Sequence, residues 1–194
     1  MILIIILILA AVGLDQWTKY LAVEHLMGEA SYPFWQDVLH FTYVENRGAA
    51  FGMLQGQMWL FYIITALACV LIIYCMVRFR KRLHPLMRIC LSLIVAGALG
   101  NLIDRVFLGY VRDMLDFRLI NFAVFNVADS AVVVGAILLV IDLLFLKKGK
   151  ALADDIEKYF ERKKKPAAEP AQDTPAEEKA AESPEKKEED PIDS

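Results

Sequence analysis

The chain has 194 residues, 57% of them hydrophobic, and a formal net charge of −3; its mean hydropathy is +0.43. Residues 1–146 hold 10 acids and 10 bases and are neutral, whereas residues 147–194 hold 14 acids and 11 bases and carry the whole net charge. An apolar body with a charged tail excludes a water-soluble globule, a nucleic-acid-binding protein and a disulfide-stapled secreted domain.

A membrane-crossing helix needs about 20 mainly apolar residues. Residues 1–14 are apolar, stop at Asp15 and resume at 20–23. A cleaved signal peptide would need a basic amino-terminal region and a clear small-x-small site before Asp15; the basic region is missing and no clear cleavage site precedes Asp15, so this segment reads as an uncleaved first span. The loop at about 26–56 carries Tyr32, Phe34 and Trp35, aromatics that favour the headgroup level. Within it, residues 38–44 (VLHFTYV) have strand composition with imperfect alternation, which predicts a short strand. Residues 59–77 contain no charge and form a second span. RFRKRLHPLMR follows, with Arg78, Arg80, Lys81, Arg82 and Arg88. Residues 89–103, extendable back to Leu86, form a third span, and residues 119–141, interrupted only by Asp129, a fourth. Lys147, Lys148 and Lys150 come next.

Lysine and arginine remain on the cytoplasmic side. The basic loop and the lysines after span four are therefore inside, four spans put both termini inside, and the loops at 26–56 and 105–120 face outside. The expected fold is an all-α membrane protein of four transmembrane helices with a small extracytoplasmic β-containing loop region, occupying residues 1–146. Residues 147–165 hold eight bases and four acids. They read as a basic juxtamembrane segment on anionic membrane lipids, with an amphipathic helix over 151–162. Residues 166–194 hold five of the seven prolines, ten acids, three bases and no aromatics. Such a segment has nothing to bury and reads as a disordered acidic tail.

Cys69, Cys75 and Cys90 form no CxxC pair, lie in or beside apolar runs and read as small buried hydrophobes. His25, His40 and His84 are scattered without an HExxH pattern, so neither a metal site nor a cofactor is expected.

An ionisable side chain at the centre of a span costs about 2.5–3.5 kcal/mol on insertion scales and marks function by default. The polar residues of the spans are Asp15, Lys19, Asn101, Asp104, Arg105, Asn126 and Asp129. At about 1.5 Å per residue, all seven fall in the outer half of the membrane, which points to one site. Asp15 and Lys19 are i,i+4 with the acid first, a self-paired structural charge. Asn101 and Arg105 share a helix face, and the Arg105 fork suits a carboxylate or phosphate, or serves as an interfacial anchor. Asn126 and Asp129 have capping-box spacing. Capping does not explain an acid followed by the uncharged stretch 130–141. Asp142, near Lys147, reads as interfacial.

Peptide hydrolysis without metal or nucleophile can use two carboxylates sharing one proton. Asp113 and Asp116, in the outer segment VRDMLDF, are the candidates to face Asp129, and spacing does not choose between them. Two other chemistries compete. Ser130 with Lys19 as base would be a serine protease, but Ser130 points about 100° around the helix from Asp129. A proton-coupled transporter would show broken helices or repeats, and the chain has no repeat.

The blocks D15-Q-W-T-K19, V44-E-N46-R-G-A-A-F-G52, G100-N101-L-I-D104-R105, V111-R-D113-M-L-D116-F117 and F125-N126-V-A-D129-S130 resemble lipoprotein signal peptidase, or signal peptidase II, across about residues 10–140. The resemblance implies a four-span intramembrane aspartyl protease of the bacterial cytoplasmic membrane. Its substrates would be prolipoproteins, cut just before a cysteine carrying diacylglycerol. It assigns the catalytic dyad to Asp113 and Asp129, and Asn46, Asn101, Arg105 and Asn126 to the dyad's surroundings and to substrate or inhibitor contact. Asp15 and Lys19 become structural support, and cyclic peptides of the globomycin type become expected inhibitors. Two features depart from the family pattern: Arg112 stands where an apolar residue is usual, and the acidic tail lies outside the core pattern.

Overall fold

The computed structural model describes residues 2–48 and 58–146, together with Ala151, Asp154, Asp155, Glu157 and Lys158. Most of the basic segment with its expected helix, and all of the acidic tail, lie outside the described residues. The elements run α1 (Ile2–Leu26), β1 (Tyr32–Trp35), β2 (Leu39–Asn46), α2 (Met58–Arg78), α3 (Pro85–Leu108), β3 (Val111–Phe117), a 3-10 turn (Arg118–Ile120) and α4 (Val127–Phe145). All four α-helices are long and apolar enough to cross a membrane. Their outer faces carry exposed apolar side chains such as Leu3, Leu9, Leu67 and Leu71. Apolar faces of this extent would be a liability in water and suit lipid contact.

The helix α3 is the hub and packs against α1, α2 and α4. Pro85 opens it, a residue whose fixed φ suits the first turn. Gly109 closes it with φ 77°, donating its N–H to the Arg105 carbonyl. Lipid is as apolar as leucine, so close packing rather than transfer from water holds such helices together. One cluster of this packing joins Met76 and Phe79, Leu83 and Met87 to Ile4 of α1 and to Leu139 and Leu143 of α4. It lies at the end that carries the basic loop.

The three strands form an antiparallel sheet in the order β1-β2-β3 at the opposite end of the bundle. The strand predicted over 38–44 is β2; β1 and β3 were not foreseen. Val44 pairs with Asp113, Glu45 with Arg112 and Asn46 with Val111.

Two expectations are corrected. The apolar run at 119–141 is not one helix: α4 starts only at Val127, after the 3-10 turn, a left-handed Asn121 (φ 51°) and a bridge from Phe125 to Leu115. Asn126 sets this start by capping the helix. Asp142, read as an interfacial acid near Lys147, is instead packed inside the bundle. It is fully buried, and His84 Nε2 lies 2.9 Å from its Oδ2. The cysteines are free: Cys69 and Cys90 are buried, and Cys75 is partly so.

Candidate active site

The site is built on the first turn of α4, whose amide N–H groups need acceptors. Asn126 has extended backbone geometry, and its Oδ1 accepts from the Asp129 amide at 2.9 Å. Asp129 Oδ2 accepts from the Asn126 amide at 3.3 Å, which completes the capping box read from the sequence. A further first-turn donor, the Ala128 amide, reaches Asp15 Oδ1 of α1 at 2.8 Å. Capping thus uses one oxygen of Asp129. The other, Oδ1, accepts from Asn101 Nδ2 of α3 at 2.7 Å.

Asp113 comes from β3. Its Oδ2 accepts from Asn46 Nδ2 at the end of β2, at 2.9 Å, and its Oδ1 accepts from Asn126 Nδ2 at 2.6 Å. Asn126 therefore touches both acids, donating its side-chain amide to Asp113 and accepting from the Asp129 backbone. Asp116, the alternative left open by spacing, is elsewhere: its Oδ2 accepts from Thr42 Oγ1 at 3.0 Å and from Arg118 Nε at 2.9 Å. The described side chains thus bring Asp113, and not Asp116, to Asp129.

Hydrogen-bond polarity fixes how these amides face. A lysine ammonium only donates. Lys19 Nζ, fully buried, donates to Asn101 Oδ1 at 2.9 Å and pairs with Asp15 Oδ2 at 2.9 Å and Asp104 Oδ2 at 3.4 Å. Asn101 must therefore turn its oxygen to Lys19, where it also accepts from Asn126 Nδ2 at 3.0 Å, and its nitrogen to Asp129. Asp15 and Lys19 form the self-pair that their spacing implied, and they tie α1 to α3 and α4 as well. Gln16 extends this floor, donating to the Gly100 carbonyl at 3.1 Å and to Asp104 Oδ1 at 3.0 Å. Gln16 was missed in the sequence, although a polar residue beside Asp15 in a span was signal enough.

Asp113 and Asp129 line a cavity of about 550 Å³ shared with Asn46, Asn101, Arg105 and Ser130. Its remaining lining is apolar, from Phe117 and Ile120 through Phe122–Phe125 to Val133 and Val134. Arg105 lies with its guanidinium carbon 4.7 Å from the centre of the Phe61 ring, and a long 3.5 Å contact joins its Nη2 to the Gly48 carbonyl. Tyr62 Oη donates to the Arg105 carbonyl at 2.9 Å, so two α2 residues absent from the sequence reading fix this arginine. Burial pushes the Asp113 carboxyl up to about 6 and the Asp129 charge adds to it, against hydrogen bonds from Asn46 and Asn126. Arg112 is held above its ordinary value chiefly by its hydrogen bonds to Asp104.

A pair of carboxylates in an apolar cavity, each supplied with amide donors, can handle one shared proton and a water. Comparison with known proteins agrees with this chemistry. The family model described as signal peptidase (SPase) II matches residues 7–145. A lipoprotein signal peptidase of Caldanaerobacter subterraneus subsp. tengcongensis is 51% identical over 135 residues, covering 70% of this chain and 91% of that protein. One from Clostridioides difficile is 46% identical over 145 residues, covering 75% and 97%. A bacterial membrane enzyme solved by the in meso method at 1.9 Å resolution is 35% identical with a TM-score of 0.65, covering 73% of this chain and 92% of the other. With a family match that takes in all four apolar helices and every residue around the acid pair, the chain belongs to the signal peptidase II family.

Proposed function

We propose that Asp113 and Asp129 are the aspartyl dyad with which this signal peptidase II removes the signal peptide of lipoprotein precursors, cutting just before a diacylglyceryl-modified cysteine. The observation that carries the reading is the joining of buried Asp113 and half-buried Asp129 through Asn126 on one wall of the cavity. One carboxylate takes a proton from a water as the water oxygen bonds to the scissile carbonyl carbon. The other, protonated, gives its proton to the carbonyl oxygen. The tetrahedral species then collapses: the C–N bond breaks, the amine takes the proton held by the first carboxylate, and the second recovers its own. Amide donors from Asn46, Asn101 and Asn126 stabilise the single negative charge that the pair keeps throughout.

A serine mechanism finds less support. The Ser130 hydroxyl donates to the Asn126 carbonyl at 2.9 Å, and Lys19 is occupied by Asp15, Asp104 and Asn101. Arg105, which keeps donors in the cavity, and Asn46 take the substrate backbone near the cut. Globomycin-type cyclic peptides would occupy the same space. The basic loop at 78–88 faces the cytoplasm of a bacterial cell with both termini, and the cavity opens toward the extracytoplasmic leaflet of the inner membrane. Residues 1–146 form the peptidase domain, followed by the basic segment and the acidic tail.

The test is cleavage of a diacylglyceryl-modified precursor in lipid by wild type, Asp113→Asn and Asp129→Asn. Each variant should insert normally and lose at least about a thousand-fold in turnover. Near-normal turnover by either variant would overturn the dyad.

A further inference from the structure

No step above uses Arg112, the residue before Asp113. Strand alternation sends the Arg112 side chain to the face opposite Asp113. There Nε lies 3.1 Å from Asp104 Oδ2 and Nη2 lies 2.8 Å from Oδ1, a fork on a fully buried carboxylate. Nη2 also donates to Gln16 Oε1 at 2.9 Å, and the Arg112 backbone amide donates to Asp104 Oδ2 at 3.0 Å. Main chain and side chain of one residue thus hold the same acid of α3.

We propose that Arg112 is a positioning residue for the dyad: it pins β3 to α3 one residue from Asp113 and cancels the buried charge of Asp104. The inference rests on the dyad reading. Below the acid pair, Asp15 and Asp104 meet Lys19 and Arg112, two charges against two. Around the pair itself Arg105 is the cation, and one shared proton leaves the two acids with a single charge to match it. Lys19, paired with Asp15 and Asp104, also orients Asn101, and through it Asp129. The groups facing this assembly are Asp15, Gln16 and Lys19 from α1, Asn101, Asp104 and Arg105 from α3, and Asn126 and Asp129 from α4. Tyr43, Glu45 and Asn46 face it from β2.

Without Arg112, two carboxylates compete for Lys19 and one negative charge stands uncompensated below the dyad. A nearby like charge favours protonated acids. Both limbs of the bell-shaped pH dependence of kcat/KM should therefore move to higher pH. The experiment compares full pH profiles of the intact chain in lipid for wild type, Arg112→Leu, Arg112→Lys, Asp104→Asn and the Arg112→Leu/Asp104→Asn double variant, with Asp113→Asn as control. Arg112→Leu should shift the bell up by about one pH unit, roughly a tenfold rate loss on its acid limb. Asp104→Asn should shift it down, and the double variant should return it. Arg112→Lys keeps the charge but not the fork, so its bell should stay in place while kcat falls. An unmoved bell in either charge-changing single variant, a displaced bell in Arg112→Lys, or a double variant that stays displaced overturns the assignment. If Arg112→Leu does not accumulate, the direction of the Asp104→Asn shift decides alone. Activity in Asp113→Asn would instead refute the dyad, whereas an inactive Asp113→Asn with unmoved bells refutes only the role of Arg112.

Discussion

Asp113 is pulled two ways. Burial favours its neutral form, while Asn46 and Asn126 donate to its ionised oxygens, and the balance leaves its carboxyl at about 6. A native pKa above the unfolded one means that the folded protein binds more protons than the unfolded chain between the two values. Stability therefore falls as pH rises through that window. For Asp113 the window runs from 3.8 to about 6. At about 1.4 kcal/mol per pKa unit, the cost approaches about 3 kcal/mol above the window in wild type and is absent from Asp113→Asn. Equilibrium unfolding of both proteins in mixed micelles, at about pH 3.5 and about pH 7.5, isolates this effect, because the lost hydrogen bonds weigh equally at both. The stability difference should swing toward the variant by about 2–3 kcal/mol on raising the pH. A difference that stayed constant would mean that no raised acid is held at this position.

At the scale of elements, the proposed dyad depends on how closely α3 approaches the start of α4. Gly97 makes that approach possible. A Cβ there would run into the Ala128 carbonyl oxygen and come 2.7 Å from Val132 Cγ2, and backbone cannot yield as a flexible side chain can. Gly97→Ala should therefore cost at least about 1–3 kcal/mol as overpacking and lower activity by displacing the turn that carries Asp129. Gly13→Ala, with nothing within 4 Å of the new carbon and a better helix former in place, should lower neither. Thermal melting and turnover of the two variants in one detergent check this; equal behaviour would refute the packing argument. The spans were legible because crossing a bilayer is a local property of a run of residues, and the polar residues could be assigned a depth by counting along helices. Of the strands, only β2 was legible. All of β1 is exposed, and β3 breaks its alternation with Asp113 on the face of Val111, Leu115 and Phe117 and Met114 on the face of Arg112 and Asp116. The late start of α4 was hidden because residues 122–125 are as apolar as a span, yet they line the cavity. Whether Asp113 or Asp116 faces Asp129 depends on the β2–β3 register and on Asn126, long-range facts that spacing does not contain.

For the whole molecule, the two ends divide the work. Apolar packing around Met76, Phe79 and Met87 closes the end with the basic loop, while the other end opens as a cavity below a small sheet. Around that open end, Tyr32, Phe34 and Trp35 of β1 and Leu119, Ile120 and Phe122 before α4 expose large apolar surfaces. At the headgroup level such side chains enter lipid rather than water. In the orientation and with the dyad proposed above, a substrate cysteine carrying diacylglycerol would have its chains in the same leaflet, and its lipid would hold the scissile bond beside Asp113 and Asp129. Positioning of this kind turns a loose encounter into an oriented one. Affinity alone would contribute less. Burying acyl chains contributes about 0.8 kcal/mol per CH₂, but a chain already in the bilayer has realised most of that. Discrimination should therefore appear in kcat more than in KM, because misplaced substrate still binds the apolar walls but does not meet the acids. An unlipidated precursor, matched in sequence and reconstituted in the same bilayer, should be cleaved at least about a hundred-fold more slowly, with most of the loss in kcat. Equal rates for the two precursors would show that the peptide alone selects the cut, and a loss confined to KM would show that the lipid serves only to concentrate the substrate.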